Sequence, residues 1–540
     1  MGIKLQIPVL DLVIIVTYLI AMVAIGLWST RKQKQTSDNY FLADRGLKWG
    51  MIGAALFAAN ISTIHLVGLA ASGFNEGLVW GNFEWMATIT LILLGLVFAP
   101  FYFKNRISTL PEFLERRYSP HARSFLAFMG ILGALFIHIG MSMYAGAAVF
   151  QQFFGIDVYV SIIVIAVITA IYTVLGGLKA VVVTEAIQTV ILLMGAVLVL
   201  VFGILALPSH GINNFAEFKS AIRPDQLSMI HTDNSHGLAW YAVMLGYPIL
   251  GVWYWCTDQT IVQRVLGAKT QRDAQLGPLF AGFLKILPVF LMVLPGVLGY
   301  VLFKDQIGTN SNLTLPVLIN NLVPTGLKGI IAAGLLAALM STIAAALNSS
   351  ATLVAIDIVK RMRPETTDEK QVRIGKIASV VIMLLAMVWS TQGGKYTSIF
   401  EAINSIAANL APPITTVFLL GVFWKRGTKQ AALATLIFGF TLGAIAFALD
   451  LPIFGDTKII THNWGIPFMM QAWWLFLFCV AVFITVSLFT PKPDPESIKG
   501  LTWDHPFDVI TKGKISGFAD PRIIAGILLV IIITLYYFLR

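Results

Sequence analysis

A few charged and hydrogen-bonding residues stand inside long apolar runs, where hydrocarbon would exclude them, and their types define the chemistry open to the chain. Lys285 lies in Phe283-Leu284-Lys285-Ile286-Leu287. A charge at bilayer depth costs about 3 kcal/mol or more, so it must face a partner, a cavity or water. Lys285 is either half of an ion pair within a bundle or a donor to a polar solute. Glu84, in Asn82-Phe83-Glu84-Trp85, is either a carboxylate at the interface among belt aromatics or an acceptor in the same site. Asn60, Ser62, Thr63 and His65 give one run four polar side chains among eight residues. Ser and Thr there can ease helix contact, and His65 alone could be a satisfied core histidine. The stretch Trp253-Tyr254-Trp255-Cys256-Thr257-Asp258-Gln259 repeats the mixture of polar and aromatic groups in a later run. Ser341 and Thr342, followed by Asn348-Ser349-Ser350 and Thr352, make a third polar stretch. Hydroxyls and backbone carbonyls are neutral hard oxygens that suit a monovalent alkali cation, whereas calcium or magnesium would call for carboxylates. Easing helix contact is the alternative reading here too.

The elements that carry these residues are membrane helices. Of 540 residues, 57% are hydrophobic and 12% charged, about half the charge density of a soluble chain, and the mean hydropathy is +0.81. Runs long enough to cross about 30 Å of hydrocarbon fall at 9–28, 49–70, 78–103, 124–154, 158–175, 180–207, 238–261, 277–303, 329–359, 374–389, 399–423, 431–449, 473–489 and 523–538. Fourteen spans are therefore expected, the first a retained helix because Asp11 interrupts it and no small-residue cleavage site follows. Connections on one side are rich in Lys and Arg, among them Arg31, Lys104, Arg116, Arg117, Arg123, Arg264, Lys360, Arg361 and Lys425, whereas those on the other hold few, such as Lys219, Arg223, Lys304 and Lys328. The basic side is cytoplasmic, which puts both termini outside.

The net charge of +10 is spent on orientation, so nucleic acid is not an expected partner. Both cysteines, Cys256 and Cys479, lie in apolar runs, against a disulfide framework or a four-ligand metal site. No phosphate-cradling loop or nucleophile triad is found, and no connection is long enough for a soluble enzyme domain. An enzyme is not expected. Spans two and seven, both interrupted by polar residues, stand five apart. Paired interruptions in two halves mark carriers built on inverted repeats, whose unwound helices offer free backbone groups to solute and ion. The expected division is an extra helix at 9–28, repeats at 49–207 and 238–423, and additional helices within 431–540.

Several stretches also resemble the sodium/solute symporter family, sodium/glucose cotransporter branch. They are Phe57-Ala58-Ala59-Asn60-Ile61-Ser62, Phe83-Glu84-Trp85, Gly176-Gly177-Leu178-Lys179 onward to Glu185, the aromatic stretch at 253–259, and Pro412-Pro413-Ile414 onward to Phe423-Trp424-Lys425-Arg426. The resemblance implies an all-α polytopic protein with fourteen helices and a leucine-transporter-type core of five plus five. It implies solute contacts at Asn60, His65, Glu84 and Lys285, with Tyr254 an aromatic gate and Trp255 beside it. Asn404 stands where the branch usually has a Gln, one methylene longer. The implied sodium site takes carbonyls of Ala58, Ile61 and Ala338 and hydroxyls of Ser341 and Thr342. Glu185 replaces the usual Asp near the start of span six, a possible ion-coupling position. The positions that carry hydroxyls in members coupling two sodium ions are Ala344 and Ala345 here, so one sodium per solute is expected.

The expected activity is sodium-coupled uptake of a neutral hexose-like sugar across a cell membrane. The alternatives are uptake of a cyclitol or other polyol, an amino acid or a carboxylate by the same fold, or, in another class, a channel or membrane sensor. Sodium, the solute and the lipid bilayer are the expected partners.

Overall fold

The computed structural model describes residues 8–32, 36–232, 238–391, 399–450, 459–505, 508, 515 and 517–540, without the side chains of 399–403. Lys4, Lys34, Lys395, Lys458, Lys512 and Lys514 of the charge pattern lie outside the described residues. The chain is helical, and among the described residues β pairing is confined to two isolated bridges. Eleven helices among the described residues are long and apolar enough to cross a membrane.

The chain begins with α1 (Val9–Thr30). The second apolar run is two helices, α2 (Trp49–Asn60) and α3 (Thr63–Glu76), with Ile61 and Ser62 extended between them. Its polar residues make the break tolerable. Ser62 and His65 form a capping box, and the Ser62 N–H is held by His65 Nδ1 at 3.2 Å. That N–H is the one an unbroken helix would give to the Ala58 carbonyl, so the interruption frees an acceptor in mid-bundle. Next come α4 (Asn82–Leu93), the short α5 (Leu110–Arg117) and α6 (Pro120–Phe154), whose middle, Ala134–Met141, is a π-helical turn.

The expected spans at 158–175 and 180–207 lie in one helical stretch, α7 (Val158–Ala206), kinked at Gly177 with φ of 61°. A Cβ there would stand 2.4 Å from the Tyr40 carbonyl oxygen, so positive φ and close approach both require glycine. The seventh run is again divided. A π-helical turn at Val252–Thr257 follows α8 (Trp240–Gly251), and Asp258, extended at φ −83° and ψ 124°, caps α9 (Gln259–Leu266) by accepting from the Thr260 N–H at 2.7 Å. Lys285 sits just past α10 (Gln271–Leu284), in a turn before the chain continues to α11 (Leu294–Ile307).

The centre of the bundle is α12 (Leu327–Thr352), which is buried along nearly its whole length. Apart from the polar stretches at 341–342 and 348–352 it is apolar round its circumference, the pattern of a core helix. The remaining helices are α13 (Asp368–Ser390), α14 (Ile399–Phe423), α15 (Lys429–Leu449), α16 (Phe468–Phe489) and α17 (Pro521–Phe538). Broad apolar faces of α13, α15, α16 and α17 are exposed, as lipid-facing helices require. Packing between helices uses small residues. Gly73 of α3 and Gly296 of α11 let their backbones meet, since a Cβ on either would come 2.1 Å from a carbonyl oxygen of the other helix.

Candidate functional site

The two broken helices and the turn at Lys285 converge on one cavity of about 130 Å³. A single water needs roughly 10–15 Å³ on this measure, so the space suits a small polar solute. All seven residues expected to touch solute line it: Asn60, His65, Glu84, Tyr254, Trp255, Lys285 and Asn404. Phe83, His138, Tyr247 and Thr342 join them.

Lys285 and Glu84 are each other's partners. Their Nζ and Oε2 atoms are 2.5 Å apart, both side chains are almost wholly buried, and they come from positions 201 residues apart. The ammonium also lies 5.9 Å from the Phe57 ring centroid and 5.5 Å from that of Trp255. Both readings offered by the sequence therefore meet in one pair: it is an internal ion pair, and it borders the cavity. A solute hydroxyl meeting it finds a donor and an acceptor side by side. Tyr254 packs edge-on to Trp255, centroids 5.1 Å apart, and its phenol interacts with the Asn60 side chain. Asn60 Oδ1 is buried without a protein partner among the described residues. Phe83 stacks on Trp80 and on Phe468 at 5.8 and 6.4 Å and meets Tyr247 edge-on.

A second group of oxygens lies where α2 passes α12. Ser341 Oγ donates to the Ala58 carbonyl at 2.7 Å and lies 3.0 Å from that of Ala338; Thr342 Oγ1 is 3.1 Å from both the Ala59 and Ala338 carbonyls. Ile61, the fifth expected member, is the residue at which α2 stops. These are uncharged, hard oxygens buried together, and hydroxyls turned to present lone pairs could hold a monovalent cation. The Ala59 carbonyl is an addition the sequence did not single out.

Glu185 is placed elsewhere. It is fully buried and grips Arg264 in a fork, with Nε to Oε2 at 2.9 Å and Nη2 on Oε1, while Nη1 of the same arginine holds the Thr260 carbonyl. Arg264, one of the basic residues on the expected cytoplasmic side, is 1% exposed. Ala344 and Ala345 on α12 are buried methyl groups. His138 was also missed; a lone imidazole in the apolar run Leu135-Phe136-Ile137-His138-Ile139 was the available signal.

The fold is that of a Na⁺-coupled sialic acid symporter seen in a substrate-bound outward-open state: TM-score 0.75, 20% identity, 91% of this chain and 100% of that one covered. The sodium/mannose cotransporter of Bos taurus is 36% identical over 538 residues, covering 92% of this chain and 89% of its own. The sodium/myo-inositol cotransporter 2 of Mus musculus is 34% identical over 533 residues, covering 91% and 79%. The model of the sodium:solute symporter family matches residues 40–439. With that match across most of its length, the chain belongs to the sodium:solute symporter family, and is a multi-pass membrane transporter and not an enzyme.

Proposed function

We propose that the protein couples sodium entry to the uptake of a neutral, polyhydroxylated solute, a hexose or a cyclitol, by alternating access. The observation that carries this reading is the convergence of Asn60, His65, Glu84, Tyr254, Trp255, Lys285 and Asn404 on one cavity from five separate apolar runs of the sequence. Such a set offers an aromatic face with both donors and acceptors, as a ring bearing hydroxyls needs. Glu84 beside Lys285 disfavours an anionic solute, because the ammonium is already neutralised. The likeness to a mannose and a myo-inositol cotransporter favours a hexose or a cyclitol equally. Uptake by proteoliposomes of labelled mannose, glucose and myo-inositol, with sodium or potassium outside, tests the reading; accumulation that ignores the sodium gradient contradicts it.

In this account the chain crosses the membrane fourteen times with both termini outside. Residues 49–207 and 238–423 form the two inverted repeats, with 9–28 and 431–540 as additions. Sodium binds among the carbonyls of Ala58, Ile61 and Ala338 and the hydroxyls of Ser341 and Thr342, tying α2 to α12. Loss of the ion lets the two helices part and releases the solute inward. Removing one ligand should show this directly. Ser341→Ala should raise the half-saturating sodium concentration roughly tenfold or more, the weight of one contact to a charged group, without changing the order of preference among solutes. Sodium titration of uptake is the check, and an unchanged half-saturation removes Ser341 from the site.

One sodium per solute is the expected ratio, since Glu185 is engaged by Arg264 and the positions that would complete a second site are Ala344 and Ala345. A hard cation stripped of water needs several oxygens.

Asn404 is proposed to set which hydroxyl is read from the α14 side. Asn404→Gln moves an amide by more than about 1 Å, enough to break one hydrogen bond and make another. It should change the ratio of half-saturation constants among mannose, glucose and inositol severalfold. A ratio unchanged across the three takes Asn404 out of the contact set.

A further inference from the structure

Beside the main cavity, toward α5, lies a smaller void of about 30 Å³, room for about two waters. His138, on the π-helical turn of α6, borders both spaces, as does Trp253. Its Nε2 is 2.9 Å from Asp258 Oδ2. A carboxylate can only accept, so Nε2 carries the proton, and the neutral ring then has an acceptor at Nδ1. Asp258 is itself fixed, because its other oxygen caps α9 through the Thr260 N–H at 2.7 Å. The imidazole lies 6.0 Å from the Tyr254 ring, centroid to centroid, and Asp258 is its hydrogen-bond partner among the described residues.

Resting on the function proposed above, we infer that His138 is a further solute-contacting residue, whose Nδ1 accepts from one hydroxyl of the neutral polyol, and that Asp258 is the positioning residue that sets its tautomer. The contact lies at the end of the solute facing the smaller void. It supplies a neutral acceptor, complementary to the Lys285 ammonium, so a hydroxyl at this point is read as a donor.

Asp258→Asn separates this role from a structural one. The asparagine oxygen can keep the cap on Thr260, while its amide N–H donates to Nε2 and drives the ring proton to Nδ1. The acceptor in the cavity becomes a donor. The probe is competition by monodeoxyfluoro analogues of mannose and myo-inositol against the labelled parent in proteoliposomes. Fluorine cannot donate. In the wild type, fluorine at one ring position should weaken competition roughly tenfold or more. Asp258→Asn should bring that one penalty to within about twofold and leave the other positions alone. His138→Ala should weaken the parent to the level of that same analogue. An unchanged pattern in Asp258→Asn, or a parallel shift for every analogue in both variants, overturns the assignment. If Asp258→Asn does not fold, the His138→Ala pattern decides by itself. A wild type that accumulates neither solute with sodium overturns the underlying function before any variant is compared, and this inference with it.

Discussion

Exchanging Lys285 for methionine should abolish sodium-driven uptake and lower the melting temperature of the purified protein as well. The ammonium is 2.5 Å from Glu84, and neither side chain has access to solvent beyond the cavity. Removing one member of a buried pair leaves an uncompensated charge, at a cost of about 3–5 kcal/mol. Lost uptake in the single variant would therefore not by itself separate folding from solute contact. The pair replaced together, Lys285→Met with Glu84→Gln, contains no stranded charge and should recover most of the melting temperature, since apolar substitutes for buried pairs are often neutral. It should still fail to transport, because the adjacent donor and acceptor that meet the solute are gone. Melting followed by size-exclusion fluorescence, beside uptake in proteoliposomes, makes the comparison. A double variant that transports like the wild type would reduce the pair to scaffolding.

Arg264→Leu should be nearly as damaging for a different reason. Glu185 would remain fully buried with its guanidinium fork removed, again about 3–5 kcal/mol, and the Thr260 carbonyl would lose its donor. Replacing both, Arg264→Leu with Glu185→Leu, should restore much of the stability. If the pair joins α7 to α9 and holds no ion, sodium titration of uptake in the double variant should keep the wild-type half-saturation and a Hill coefficient near one. A double variant whose sodium dependence collapses would return Glu185 to the ion pathway.

These two pairs show what the amino-acid order made legible. Lys285, Glu84 and Asn60 announced themselves because hydrocarbon tolerates so few polar groups, and the family motifs directed them to one site. An ion pair is one reading of Lys285 from the sequence, but its partner is not legible there, because positions 84 and 285 share no period that links them. The break at Ile61 was readable from the polar run around it; the second break falls at Asp258, after the aromatic residues, because a π-helical turn carries the chain on through Thr257. Arg264 is legible as one of the basic residues that orient the chain, but not its inward turn from α9 to Glu185, which depends on a residue 79 positions away. His138 was hidden as one polar residue in an apolar run, and its meaning depends on Asp258, 120 positions away. The approach of the Ala59 carbonyl to the Thr342 hydroxyl could not be found from side-chain type at all, since it depends on how α2 passes α12.

The central claim is that one sodium ion and one neutral polyol cross together. Simultaneous uptake of labelled sodium and labelled mannose or myo-inositol into the same proteoliposomes, with the solute present or withheld, measures it most directly. The account predicts solute-dependent sodium entry in equal molar amount, and no concentrative solute uptake when potassium replaces sodium. Two sodium ions per solute would contradict the argument from Glu185, Ala344 and Ala345, and concentrative solute entry without sodium would contradict the coupling itself.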